Sequence, residues 1–168
     1  GSEMCIRDSY NIASLWQLPV IFVIENNKYG MGTSVNRSSA GDNLSDRGKA
    51  YGIKSEIVDG MDIIAVREAA IKAIEYCRSG KGPYILEMKT YRYRGHSMSD
   101  PAKYRTRDEV EQIRKTSDPI ENIKVLLNKM GVVDKVLKDI DVEIKSIIAD
   151  AAKFAQDSPE PSPSELYT

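Results

Sequence analysis

An unbroken apolar run, Pro19-Val-Ile-Phe-Val-Ile-Glu25, stops at Asn26-Asn27 and continues as Lys28-Tyr-Gly-Met-Gly-Thr33. Nothing else in the chain constrains its fold as strongly. The run has strand length and β-branched content without polar alternation, the pattern of a central strand buried on both faces. Two further strands are expected at residues 53–58, closed by Asp59-Gly60, and at residues 84–91, after Ser79-Gly-Lys-Gly-Pro83. Between them Asp62 reads as a helix N-cap, Ile63, Val66, Ala70, Ala73 or Ile74, and Cys77 recur at helical spacing, and Gly80 supplies the stop. Strand, helix, strand implies a parallel α/β unit, a parallel sheet flanked by helices.

Residues 1–9 show neither period and are expected to be a non-native or artefactual segment, whereas residues 10–16 read as the last turns of an apolar helix. A chain that enters inside a helix is expected to be truncated at its N-terminus. The α/β part then covers residues 10–91, and a polar stretch over 92–117 reads as a loop. Residues 118–168 form a C-terminal helical segment. There Ser117-Asp118-Pro119 opens one helix running to about Met130, and Val132, Val136, Ile140, Ile144, Ile147, Ile148, Ala151 and Ala155 mark a longer amphipathic one.

Composition excludes several classes. The 168 residues carry 24 Lys and Arg against 25 Asp and Glu, net −1, which argues against a globally basic nucleic-acid binder. Cys5 and Cys77 make no CxxC and no paired framework, so neither a disulfide scaffold nor a zinc module is indicated and reducing conditions are expected. No secretory signal is visible and no apolar run approaches a membrane span.

Two places carry chemistry. Asn27 lies at the carboxyl end of the apolar strand, where open α/β sheets bind ligands. Gly30 and Gly32 would let the chain curl so that the Asn27 amide oxygen and the Tyr29 carbonyl converge on Mg²⁺, a hard cation that takes most of its ligands from a phosphate group, water and one or two carboxylates. The competing reading is plain turn chemistry. The second place is residues 92–107, where Arg92, Arg94, Lys103, Arg105 and Arg107 face one acid, Asp100, giving a local +4 in a chain of net −1. With the lone histidine, His96, and Gly95, this suits an anion site. A solvated loop or a subunit contact is the alternative, and RNA binding through the interleaved Tyr91, Tyr93 and Tyr104 is a weaker one, since no nucleic-acid module surrounds them. Ser97 and Ser99 are exposed candidates for phosphorylation.

The run Tyr10 to Ser34 resembles the α subunits of pyruvate dehydrogenase E1 components, within the thiamin-diphosphate-dependent 2-oxo acid dehydrogenase family. Val58-Asp-Gly-Met-Asp62, Tyr76-Cys-Arg-Ser-Gly-Lys-Gly-Pro83, Thr90-Tyr-Arg-Tyr-Arg-Gly-His-Ser-Met-Ser-Asp-Pro101, Tyr104-Arg-Thr-Arg107 and Ser117-Asp-Pro-Ile120 agree in order, so the resemblance covers residues 10–168. Glu25-Asn-Asn-Lys-Tyr-Gly-Met-Gly-Thr33 and Ser97-Met-Ser-Asp100 look like the pyruvate type. Branched-chain relatives tend to carry Arg-Asn-Asn-Gly-Tyr-Ala and Ser-Thr-Ser-Asp there, and a branched-chain or acetoin substrate is the alternative.

The resemblance implies a thiamin-diphosphate-binding fold, with thiamin diphosphate and Mg²⁺ as cofactors. It implies that Asn27 and Tyr29 are metal ligands, that Gly30 belongs to the same cofactor-binding motif, and that His96 is a catalytic residue near the diphosphate. Ser97 and Ser34 match serines phosphorylated in mitochondrial members. Lys103 stands at a third such site, in a loop one residue shorter, which weighs against kinase control. The motif's opening Gly-Asp-Gly is not found among residues 1–9, so half of the metal site is expected to be absent. The expected partners are an E1 β subunit in an α₂β₂ assembly, the lipoyl domain of E2, and pyruvate, with no nucleic acid and no membrane. The location would be the bacterial cytoplasm or the mitochondrial matrix. The chain alone is expected to be inactive, and a non-catalytic subunit-interaction module is the reading from another class.

Overall fold

A computed structural model describes residues 3–167; Gly1 and Ser2 of the expected non-native segment, and Thr168 of the helical segment, lie outside the described residues. The chain divides into two compact units, one ending at Asn122 and the other beginning at Ile123. The first contains α1 (Glu3–Leu15), β1 (Ile21–Asn26), a small hairpin of β2 (Tyr29–Gly30) and β3 (Thr33–Ser34), α2 (Val35–Ser38) and a 3₁₀ helix (Leu44–Tyr51). It continues with β4 (Lys54–Asp59), α3 (Ile63–Arg78), β5 (Tyr84–Lys89), α4 (Arg107–Ser117) and the start of α5 (Pro119–Lys129).

Three strands pair in parallel in the order β1-β5-β4, as the strand–helix–strand pattern requires. Ile21 and Lys54 both lie opposite Tyr84, and Asn26 and Asp59 both lie opposite Lys89, so the three carboxyl ends are level. The expectation that β1 is central and buried on both faces does not hold in this sheet. β5 is the central strand, buried from Tyr84 to Met88, while β1 is an edge among the described residues and its Val23 is 55% exposed. A short apolar run marks a strand without saying how many neighbours pair with it.

Alternation along β5 builds two cores. Tyr84, Leu86 and Met88 pack with Val58 of β4 and with Ala69, Ala73 and Cys77 of α3. Asp62 caps α3 by accepting the Ile64 and Ala65 amides at 2.9 and 3.1 Å, as its sequence position suggests. On the opposite face Ile85 meets Ile53 and Tyr10 of α1, whose ring stands edge-on to Phe22 at 4.6 Å. The two cysteines form no disulfide, Cys77 lying in the core and Cys5 on the surface.

Other boundaries shift. α1 is continuous from Glu3, so residues 3–9 are helical rather than aperiodic. β5 stops at Lys89, short of Tyr91, where Thr90 N–H turns to the Asn26 carbonyl at 2.9 Å and Lys89 C=O receives Gly60 N–H at 2.8 Å. The polar stretch is a loop only as far as Thr106, because α4 fills 107–117.

The second unit holds the rest of α5, which ends at Lys129 shortly before the left-handed Gly131 (φ +93°), then α6 (Asp134–Asp157) and a 3₁₀ turn (Pro163–Tyr167). Lys124 of α5 pairs with Asp141 of α6 at 3.3 Å. The apolar stripe Val136, Ile140, Ile144, Ile147 and Ile148 on α6 is exposed along its length. No helix among the described residues is long and apolar enough to cross a membrane.

Candidate functional site

The level carboxyl ends of β1, β5 and β4 set the position of the Asn26–Asn27 turn. Asn26, 6% exposed, closes β1: its Oδ1 accepts Lys28 N–H at 3.0 Å and its Nδ2 donates to Glu87 Oε1 at 2.8 Å. Asn27 Oδ1 accepts Tyr29 N–H at 3.1 Å, an Asx turn that leaves that oxygen a second lone pair. The curl was expected at Gly30 and Gly32, but the left-handed residues are Lys28 (φ +69°) and Met31 (φ +54°). Gly30 has open space where a Cβ would stand. Gly32 serves contact instead, since a Cβ there would lie 3.1 Å from the Tyr104 ring.

That contact joins the turn to the basic loop. The Tyr104 and Tyr29 rings are 5.0 Å apart, and the Arg105 guanidinium lies within 5.1–5.6 Å of the rings of Tyr29, Tyr91 and Tyr104. Arg105 is 9% exposed; Nη1 donates to the Arg92 carbonyl and Nη2 to the Arg94 carbonyl at 3.0 Å. It therefore organises the loop from inside. The tyrosines are similarly occupied: Tyr91 OH donates to Glu109 at 2.8 Å, and Tyr93 OH donates to Asp118 at 3.0 Å while Arg114 covers its ring. Burial and the Glu109 hydrogen bond push the Tyr91 hydroxyl up to about 12.

Asp100 is the acceptor at the loop's centre. Oδ2 accepts His96 N–H at 3.0 Å and Tyr104 O–H at 2.8 Å, and Oδ1 accepts Ala102 N–H at 2.9 Å. These donors, the Ala102 and His96 amides foremost, hold its carboxyl well below the ordinary aspartate range. His96 Nδ1 also faces Oδ2, at 3.4 Å. Gly95 is required because a Cβ would lie 2.8 Å from Asp100. Ser97 and Ser99 share a hydrogen bond at 3.0 Å at the exposed tip beside Met98, whereas Ser34 is half-buried at the end of β3.

The two motifs singled out in the sequence thus meet through a continuous chain of contacts, His96 to Asp100 to Tyr104 to Tyr29. Sequence reasoning missed Asp100 as hub, Arg105 as buried core of the loop, and Glu87. A cavity of about 510 Å³ beside the turn is lined by Asn26, Lys28, Ser34, Lys89 and Tyr91 among others. A second, of about 580 Å³, opens between the loop and α4 and is lined by Tyr93, Lys103, Arg107 and Arg114 among others. No group of three or more His, Cys, Asp or Glu side chains suited to a metal occurs among the described residues.

Residues 2–164 match the family described as "Dehydrogenase E1 component". The chain is 58% identical over 164 residues to the pyruvate dehydrogenase E1 component subunit alpha of Rhizobium meliloti, covering 97% of this chain and 47% of that protein. The corresponding protein of Zymomonas mobilis is 52% identical over 163 residues, with 97% and 46% covered. The human somatic-form mitochondrial subunit is 52% identical over 164 residues, with 96% and 41% covered. The chain thus spans just under half the length of these curated relatives.

Proposed function

The chain belongs to the dehydrogenase E1 component family, and from that premise we propose that it acts as α-subunit sequence in a pyruvate dehydrogenase E1 component. The reaction would be thiamin-diphosphate-dependent oxidative decarboxylation of pyruvate, with transfer of the acetyl group to a lipoyl-bearing E2 protein. An E1 β subunit would complete the assembly as α₂β₂. The observation that carries this reading is the seating of the basic loop on the strand-end turn through Tyr104, Tyr29 and Arg105. Its support from relatives is the extent of their identity, and its support for pyruvate is the local sequence Glu25 to Thr33 with Ser97-Met-Ser-Asp100.

The residues present fit the diphosphate end of the cofactor. Asn27 Oδ1 keeps a lone pair beyond its Asx turn, and with the Tyr29 carbonyl it offers two neutral oxygens to an Mg²⁺ that arrives on a diphosphate. Arg105 Nε, whose guanidinium lies over the Tyr29 ring, and Arg92 Nη1 are buried without a hydrogen-bond partner, donor capacity left unused in the basic loop. Thiamin diphosphate supplies the electron sink for decarboxylation of a 2-oxo acid. In this chain, Asn27 and Tyr29 would hold the metal, with Gly30 keeping the approach open. The Asp100 carboxylate opposite His96 Nδ1 favours the proton on that nitrogen and leaves Nε2 to accept a hydrogen bond from a protonated substrate oxygen. Ser97, at the exposed tip beside His96, is the more accessible phosphorylation candidate; Ser34 is the other. A phosphate on Ser97 would compete for the loop's cations.

A chimaera tests the reading. Residues 10–168 would replace the matching stretch of the Rhizobium meliloti subunit, and the product would be assembled with that organism's β subunit. Turnover of pyruvate well above that of 3-methyl-2-oxobutanoate is expected. The exposed stripe on α6 suits a subunit contact and favours the interaction-module reading to that extent. A chimaera that assembles but turns over neither substrate would favour that module.

A further inference from the structure

Ile85, Glu87 and Lys89 lie on one face of β5, and each engages the segment that carries the 3₁₀ helix. Ile85 packs against Gly48, Glu87 Oε2 accepts Ser45 N–H at 2.8 Å, and Lys89 Nζ donates to Asn43 Oδ1 at 3.3 Å. Glu87 alone also reaches the turn. Its Oε1 accepts Asn26 Nδ2–H at 2.8 Å, and the same amide group takes Lys28 N–H on Oδ1. The side chain is 0% exposed at the centre of the sheet. An apolar residue would fill such a position without burying a charge, so a carboxylate there depends on the hydrogen bonds it receives.

We propose that Glu87 is a positioning residue: by fixing the orientation of the Asn26 amide it holds the Asn26–Asn27 turn in the conformation that aims Asn27 and Tyr29, and ties that turn to the 3₁₀ helix. This rests on the reading of the turn as the Mg²⁺–diphosphate site. The relay runs from Ser45 N–H to Glu87, from the Asn26 amide to Glu87, and from Lys28 N–H to Asn26, with every polar atom on the path paired in the direction its chemistry demands. Burial opposes the charge on Glu87, but the Asn26 and Ser45 hydrogen bonds and nearby Lys89 outweigh it and keep the carboxyl below its ordinary range. Two donors converge on this side chain, so the ionised form is the one that can satisfy both.

A reciprocal swap tests the proposal in the full chain. Glu87→Gln keeps the volume but presents one acceptor and one donor to two donors. Asn26→Asp sets two carboxylates against each other. Combined, the two changes restore the pattern, with the new amide donating to the new carboxylate and still accepting from Ser45. Amide hydrogen exchange followed by NMR is expected to show Lys28 N–H about tenfold faster in each single variant and within about threefold of the native rate in the double one. Val58 and Leu86 amides should keep their protection, showing that the sheet is intact. An unchanged Lys28 rate in Glu87→Gln, or a double variant no better than the worse single one, overturns the proposal. In the chimaera, Glu87→Gln is expected to raise KM for thiamin diphosphate about tenfold with saturated kcat within about twofold, and the double variant to reverse it. An unchanged KM overturns the role toward the cofactor. If the chimaera with native Glu87 is inactive, the proposed function falls, and the exchange rates still decide whether Glu87 holds the turn.

Discussion

Asp100 and Arg105 show how a loop of high charge becomes an ordered surface. The Asp100 carboxylate takes hydrogen bonds from the His96 and Ala102 amides and the Tyr104 hydroxyl, which depress its proton affinity relative to the unfolded chain. In the unfolded state such a group binds a proton near pH 3.9, whereas the native group stays ionised below that. Its contribution to stability is therefore complete above about pH 4 and is lost as pH falls toward the native value. The expected result is a ¹³C carboxylate resonance for Asp100 still ionised at about pH 3. Asp100→Asn should remove this acid sensitivity and speed tryptic cleavage after Lys103 and Arg105 roughly tenfold, by raising the population of open loop. Arg105→Lys keeps the charge but loses the two-carbonyl fork and the stack on three tyrosines, which should cost about 1–3 kcal/mol of loop stability, read from exchange over residues 92–105. Residue types and spacing mark Asn27, Tyr29 and His96 as candidates in the sequence. The roles of Asp100 and Arg105 are not marked there, because they arise only when the chain folds back across Gly32 and Gly95.

Helix α3 was legible because cap, period and glycine stop all lie within it and need no distant partner. The parallel sheet followed from the connection between β4 and β5, yet which strand is central depends on pairing across the sheet, and β5 took the place expected for β1. α4 carries a local signal in the sequence. Thr106 and Glu109 have capping-box spacing, and Thr106 Oγ1 accepts Glu109 N–H at 3.1 Å, so Thr106→Ala should lower stability by about 1 kcal/mol in urea unfolding. The 3₁₀ helix Leu44–Tyr51 left none, because it is held by β5 from outside. A Cβ on Gly48 would collide with Ile85 Cδ1, which has no free space in the core. Gly48→Ala is expected to destabilise by about 1–3 kcal/mol. Ile85→Val, which removes that methyl, should cost about 1 kcal/mol alone. The double variant should lose less than the sum, and strict additivity in denaturant unfolding would show that the contact does not hold the segment.

At the scale of the whole chain, net charge −1 conceals an uneven distribution: cations gather in the loop over residues 92–107 while the turn beside it offers only neutral oxygens from Asn27 and Tyr29. Mg²⁺ dehydrates reluctantly and is ordinarily held by one or two carboxylates together with phosphate oxygens. Asp42 and Glu109 line the cavity beside the turn, but Glu109 already accepts the Tyr91 hydroxyl at 2.8 Å, and no metal-suited group of three or more acidic, histidine or cysteine side chains occurs among the described residues. Arg105 does not make up the difference, because a guanidinium is cationic and has no acceptor: it can donate to a diphosphate but cannot ligate Mg²⁺. The isolated 168-residue chain is therefore expected to bind Mg²⁺–thiamin diphosphate only weakly, with no resolvable isotherm at micromolar concentrations in calorimetry. The chimaera, in which the remainder of the Rhizobium meliloti subunit and its β partner are present, should bind it. A micromolar dissociation constant for the chain alone would mean that two neutral oxygens and the basic loop suffice to hold the diphosphate.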